Sequence, residues 1–192
     1  EALGLTKLAE TLLQDSRTGA NIRHTMTALL RQAVFGRLAG YEDTNDAERL
    51  RFDPTMRQIV GGRAIANLAA STSQMSRFET EMLSRDANVE ALADLNGKWI
   101  MQANRRSRVS DLILDMDSSE SPTHGHQEGS AWNGHFACTC YHPLFCFNQH
   151  GDLERAMLRK GNVHSAANWR SVLEPVVARY RDAMLKRYFR GD

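Results

Sequence analysis

The segment from Asp111 to His135 reads DLILDMDSSESPTHGHQEGSAWNGH and holds the residues best suited to chemistry. A short apolar run carries two aspartates two positions apart, Asp115 and Asp117, and a tract rich in Ser, His, Gly and Glu follows at once. Side chains alternate faces along a strand, so both carboxylates point the same way. Two acids at the exit of a buried strand make a poor core and a good seat for a hard divalent cation. Such a seat fits phosphoryl transfer, in which cations activate an attacking oxygen and stabilise a leaving one.

The elements that must position these acids change character partway along the chain. Residues 1–105 read as helical. Leu5, Leu8, Leu12 and Leu13 recur at helical spacing, as do Met26, Leu29, Leu30, Val34 and Leu38, with Gly40 as the C-terminal cap. A short helix at Asp46 to Arg51 stops before Pro54, and the pattern predicts a helix from Thr55 to Ala70, interrupted by Ser71-Thr-Ser73. Ser76-x-x-Glu79 reads as a capping box or the first turn of the next helix, and Val89 to Met101 adds one more helical pattern.

From residue 106 onward the period shortens. Val109 to Asp117 is strand-like. Gly134 to Phe147 reads as a second strand, with a bulge or edge at His142-Pro143. Asn148 to Asp152 is a turn, and Leu153 to Arg159 returns as a third strand, although ERAMLRK also suits a helix. Trp169, Val172, Leu173, Val176, Val177, Tyr180 and Met184 form a helical stripe, in which Pro175 predicts a kink. Tyr188-Phe189 leads into Arg190-Gly191-Asp192 as a last strand. The order is therefore β-β-β-α-β. Trp132 and Trp169 are expected in the core.

The composition narrows the class. A chain of 192 residues with 42% hydrophobic content can bury a real core, and a formal charge of +1 argues against a histone-like polycation without excluding a local basic stripe. Cys138, Cys140 and Cys146 are odd in number and lack zinc-knuckle spacing, so buried, reduced thiols in a cytosolic protein are expected. No apolar run approaches membrane-spanning length. The start, EALGLTKLAE, has neither initiator Met nor signal core and reads as an internal start rather than a secretory leader, and KRYFRGD ends as abruptly, without a polar tail.

Several blocks in register carry a resemblance. Asp115-x-Asp117-Ser-Ser-x-x-Pro122-Thr-His124-Gly125-x-Gln127-Glu128-Gly129, followed by Trp132-Asn133-Gly134-His135, resembles the bacterial insertion-sequence transposases with a group 1 DDE domain. So do Gly40-Tyr41-Glu42-Asp43-x-Asn45-Asp46, Leu50-Arg51-x-Asp53-Pro54, Ser76-Arg77-Phe78-Glu79, Arg159-x-Gly161-Asn162-Val163-His164 and the closing Arg190-Gly191-Asp192.

The resemblance implies an α+β fold, with a helical region of residues 1–105 ahead of an incomplete ribonuclease-H-like β-β-β-α-β core at 106–192. It implies DNA transposition by metal-dependent strand cleavage and transfer. Asp117, in Asp117-Ser118-Ser119, is the expected first catalytic acid and Asp192 the second, with Asp115 as runner-up and further metal ligand. The cofactor implied is Mg²⁺ in a two-metal site, or Mn²⁺ in its place. The resemblance also implies a third acid, a glutamate, beyond residue 192 and a longer N-terminus, so an internal fragment or truncated gene product is expected, one that binds the ion weakly and does not cleave DNA. The partners implied are double-stranded DNA, both element terminal inverted repeats and target, and a homo-oligomer, in a bacterial cytoplasmic, nucleoid-associated setting with no membrane.

Arg77, Arg105, Arg106 and Arg108 are expected to contact DNA phosphates, and His124 and Gln127 to line the rim of the site or touch DNA. Leu68 to Glu79 is a helix-turn-helix candidate, with Gln74, Ser76 and Arg77 near a groove. Two other readings stay open: a non-catalytic DNA-binding remnant, and a structural or zinc-binding α/β domain using His124, His126, Glu128 and His135.

Overall fold

The computed structural model describes residues 2–106, 109–183 and 185–191. The chain forms two compact units, Glu1–Leu92 and Ala93–Asp192. Their division falls inside a long helix.

The first unit is helical. Its elements are α1 (Leu5–Leu12), α2 (Met26–Leu38), a 3-10 turn (Thr44–Asp46), α3 (Ala47–Leu50), α4 (Pro54–Val60), α5 (Arg63–Ala66) and α6 (Thr72–Arg77), which runs into a π-helical turn at Phe78–Leu83. Helix α7 (Asp86–Asn104) begins here and continues into the second unit. Local sequence explains the ends. The Thr25 hydroxyl caps α2 by accepting from the Ala28 N–H, and Gly40, with φ of 86°, closes it as the Tyr41 N–H reaches the Gly36 carbonyl. Asp53 caps α4 through the Met56 N–H, with Pro54 in the first turn.

The helix expected from Thr55 to Ala70 is two helices, because Gly61 and Gly62 both take positive φ. The capping box sits at Ser71 and Gln74 instead of Ser76 and Glu79, which fall inside continuing helix. Ala28, Met56, Val60, Ala64 and Ala69 form one buried apolar cluster of this unit. Buried Gln32 pins the joint before α6, its amide donating to the Ala70 carbonyl and accepting the Ala70 N–H, both at 2.8 Å.

The second unit contains β1 (Asp111–Ser118), β2 (Ser121–Pro122), β3 (Ala131–Asn133), β4 (Cys138–Tyr141), β5 (Leu144–Asn148), β6 (Leu153–Met157), α8 (Trp169–Arg179) and β7 (Lys186–Gly191). The main sheet has the order β6-β5-β1-β7, with β1 antiparallel to β5 and parallel to β7. A small sheet, β2-β4-β3, stands beside it. This is an α+β arrangement with a partial ribonuclease-H-like core, reached by the expected β-β-β-α-β path. The stretch expected as one strand from Gly134 to Phe147 is split at His142-Pro143, and its halves serve different sheets. Proline offers no N–H for a ladder, which favours the break there.

Helix α8 covers one face of the main sheet. Val172, Val176 and Tyr180 pack on Leu112, Leu114, Leu144 and Cys146. Pro175 lies inside α8, and the carbonyl it cannot bond is that of Ser171. The Arg155 Nε–H donates to that carbonyl at 3.2 Å, so the orphan acceptor is satisfied and the helix continues. Beside this helix lies a buried ion network. Glu154, fully buried, receives Arg179 at 2.7 Å and the Tyr180 hydroxyl at 2.7 Å, while Asp94 receives Arg155 at 2.6 Å and Arg179 at 3.2 Å. Burial raises the Glu154 pKa, against the opposing pull of Tyr180, Arg179 and Asn148.

The cysteines are free, with Cys140 and Cys146 fully buried, and burial pushes the Cys146 thiol up to about 12. The tryptophans depart from expectation. Trp132, on the outward side of β3, is 62% exposed and Trp169, at the start of α8, is 40% exposed.

Candidate active site

Alternation along β1 separates two jobs. Leu112 and Leu114 face α8 and the core, so Ile113, Asp115 and Asp117 lie on the opposite face. The two acids share that face as their spacing required, but their surroundings differ. Both Asp115 oxygens accept from Arg190, at 2.5 Å from Nε and 2.6 Å from Nη2. The pair is built by register, since Asp115 sits directly across the parallel ladder from Arg190. The bond raises the Arg190 pKa. Asp117, by contrast, is exposed, and among the described residues its carboxylate accepts only the neighbouring Ser118 N–H, at 2.8 Å.

Asp117 stands on the wall of a cleft of about 350 Å³, lined also by Met116, Ser118, Leu144, Ser165, Ala166, Trp169, Phe189 and Gly191. This cleft opens at the carboxyl ends of the parallel pair β1 and β7, where open α/β sheets commonly bind ligands. Its far wall is the 160–168 loop, shaped by one arginine. Buried Arg159 donates to the carbonyls of His142 (2.8 Å), Ser165 (2.8 Å) and Ala167 (2.6 Å). The same loop is pressed onto the small sheet at Gly161, where a Cβ would run into the Cys140 and Ala131 carbonyls. The Asn133 amide holds the Gly161 carbonyl at 2.6 Å, and His142 Nδ1 lies 3.1 Å from the Val163 carbonyl. The block Arg159-x-Gly161-Asn162-Val163-His164 is therefore the framework of the cleft wall.

Compared with known families, residues 1–192 match the one described as Transposase DDE domain group 1. The chain belongs to the group 1 DDE-domain transposases. None of the curated proteins matches it, and no solved structure does. Membership ties this transposase chain to DNA transposition, and to a family that generally uses a divalent metal.

The expected site residues are distributed as follows. The β1–β7 ladder is described from Asp111↔Lys186 to Met116↔Gly191, so Asp192 lies just outside the described residues, as does Arg108. Arg105 and Arg106 follow the end of α7 and are exposed. His124 and Gln127 are exposed in the segment linking β2 to β3. Arg77 ends α6 in the helical unit, its Nε–H donating to the Ser73 carbonyl at 3.2 Å.

No group of three or more His, Cys, Asp or Glu side chains is placed to hold a metal among the described residues. His124, His126, Glu128 and His135 thus do not gather as a zinc set. Nor does any helix among the described residues have the length and apolarity to cross a membrane. Sequence reasoning missed the use of Arg190 against Asp115, the exposure of Trp169 in the cleft, and the Arg159 scaffold. The signal for the last was present as a block of recognised residues, but carbonyl-binding by a buried arginine has no sequence period.

Proposed function

We propose that this transposase chain supplies the first two acids of a metal-dependent DNA strand-cleavage and transfer site, with Asp117 and Asp192 as the ligands. The observation that carries the reading is the parallel ladder: Met116 pairs with Gly191, and the next residue in each stretch of sequence is an aspartate. Asp117 fits a cation, being an exposed carboxylate on a cleft wall with no basic partner among the described residues. The Asp115 oxygens are engaged by Arg190, so Asp115 aligns β7 against β1 and leaves Asp117 as the available acid.

When bound, Mg²⁺ or Mn²⁺ would activate the attacking oxygen and stabilise the leaving oxygen at phosphorus. The chain's own residues do the remaining work. β1 and β7 are held in register as far as Met116 and Gly191, and Arg159 holds the opposite wall. Two carboxylates satisfy only part of a divalent ion's shell, so binding by these 192 residues is expected to be weak. The reading places terminal inverted repeats and target DNA as substrates, acted on by a homo-oligomer in the bacterial nucleoid.

Mn²⁺ titration followed by electron paramagnetic resonance tests the assignment. Asp117→Asn should abolish the bound-ion signal and leave the melting transition unchanged, while Asp115→Asn should retain the signal. The reverse pattern would transfer the role to Asp115, and equal binding by both variants and the wild type would defeat the reading.

A further inference from the structure

The helical unit carries a basic recess that the metal site does not use. A cleft of about 380 Å³ is lined by Arg23, His24, Arg51, Arg63, Asn67 and Gln74, among others, with no carboxylate in its wall. A second cleft of about 360 Å³ shares Arg23, His24 and Gln74 with it and adds Arg17 and Arg77, with Glu81 as its one acid. The two therefore form a continuous run.

From these placements we infer that the run is a binding track for the phosphodiester backbone of double-stranded DNA. This rests on the reading that the chain acts on DNA, and it locates a contact surface separate from the Asp117 cleft.

Three observations support it. Exposed Arg23 and Arg63 find neither a carboxylate nor a hydrogen-bond acceptor among the described residues, whereas Arg17 is held by Asp15 and Arg51 by Glu48. Unpaired guanidinium groups beside a recess suit phosphate oxygens, which they can grip with two parallel bonds. The side chain of His24 is only 6% exposed and has no hydrogen-bond partner among the described residues, yet it lines both clefts. Its pKa is lowered by burial and by the charges of Arg23 and Arg17, a sign of positive potential in the recess. The buried Arg51 Nε also lacks an acceptor. Asn67 and Gln74 add neutral groups of the kind that position a duplex without reading its bases.

The test is fluorescence anisotropy of the 192-residue chain with a labelled DNA duplex across a series of KCl concentrations. Arg23→Gln/Arg63→Gln should weaken binding and reduce the slope of log affinity against log salt by about two, at ~0.9 per lost phosphate contact. The exposed Arg181→Gln should leave the slope unchanged, and Arg23→Lys/Arg63→Lys should restore most of it. Phenylglyoxal footprinting on the wild-type chain gives a second readout that no folding defect can confound: duplex DNA should shield Arg23 and Arg63 but not Arg181. An unchanged slope in the double Gln variant, an equal loss in Arg181→Gln, lack of shielding, or equally tight binding of an RNA duplex would each overturn the inference. The metal assignment is read from Mn²⁺ binding by the Asp117 variant, and the track from the salt dependence of the Arg23 and Arg63 variants. Failure of the metal assignment and failure of this track thus register in different variants.

Discussion

The two units use arginine in opposite ways. In the sheet unit four of the guanidinium groups hold the fold. Arg155 bonds Asp94 and the Ser171 carbonyl, Arg159 gathers carbonyls, Arg179 bridges Glu154 and Asp94, and Arg187 binds the carbonyls of Tyr180, Arg181 and Ala183 past the end of α8. In the helical unit Arg23 and Arg63 face a recess and have no acceptor among the described residues. One residue type thus serves as mortar in one region and as a reaching group in the other. Counting basic residues along the sequence cannot separate these uses, because the difference lies in what each one meets.

The contrast breaks most sharply at Arg179. Its side chain is 7% exposed and its partner Glu154 is fully buried, so Arg179→Ala leaves a carboxylate without its countercharge in the interior. Removing one member of a buried pair typically costs about 3–5 kcal/mol. Urea denaturation should show a loss of that order, and Glu154→Gln introduced in the same chain should recover part of it, because the stranded charge is gone. A loss under about 1 kcal/mol, the range of exposed pairs, would mean that the network is solvated and that the inward use of arginine is overstated.

Arg159 comes next. It binds carbonyls rather than an acid, and burial lowers its pKa. Arg159→Met keeps much of the apolar volume and removes three bonds of 2.8 Å or shorter. At roughly 1 kcal/mol for each hydrogen bond lost, the expected loss is about 2–3 kcal/mol. Hydrogen–deuterium exchange should localise the loosening to residues 160–168, and the amides of β1 should stay protected. Uniform loosening of the unit would show that Arg159 supports the whole sheet rather than one wall of the cleft.

The legible parts of this molecule are those set by period and by local backbone chemistry. The β-β-β-α-β order, the two acids on one face and the Gly40 helix end all follow from alternation, helical spacing or a residue's own backbone limits. The break at Gly61-Gly62 was equally local and was overlooked, as apolar spacing on both sides masked it. What stayed hidden depends on partners far along the chain. Pro175 leaves the Ser171 carbonyl without its helical donor, and the Arg155 side chain, 20 positions earlier, could not be foreseen as the replacement. Spacing alone does not separate Asp115 from Asp117, which only the resemblance ranks, and the pairing of β1 with β7 gives one an arginine and leaves the other exposed. Trp169 and Trp132 were expected to be buried on residue type, yet a unit with small sheets has more outward positions than core.

The smallest effect is expected at His24, and it sharpens the contrast from the helical side. Its folded pKa lies below the ordinary 6.5, first through burial and then through Arg23 and Arg17. The unfolded chain therefore takes up its proton at a higher pH than the folded chain does. The stability tied to neutral His24 is complete above about 6.5 and is lost as pH falls through the folded value. Asp15, whose pKa is lowered by Arg17, adds its own loss at more acid pH, so the two contributions separate along the pH axis. Urea midpoints measured between neutral and mildly acid pH should fall for the wild type and stay flatter for His24→Gln. A bound duplex should counter the effect, since phosphates beside His24 favour its protonated form and NMR titration would then show its pKa rising. Were the midpoints of both proteins to fall in parallel, the recess would not carry the positive potential assigned to it, and the outward use of Arg23 would lose its electrostatic support.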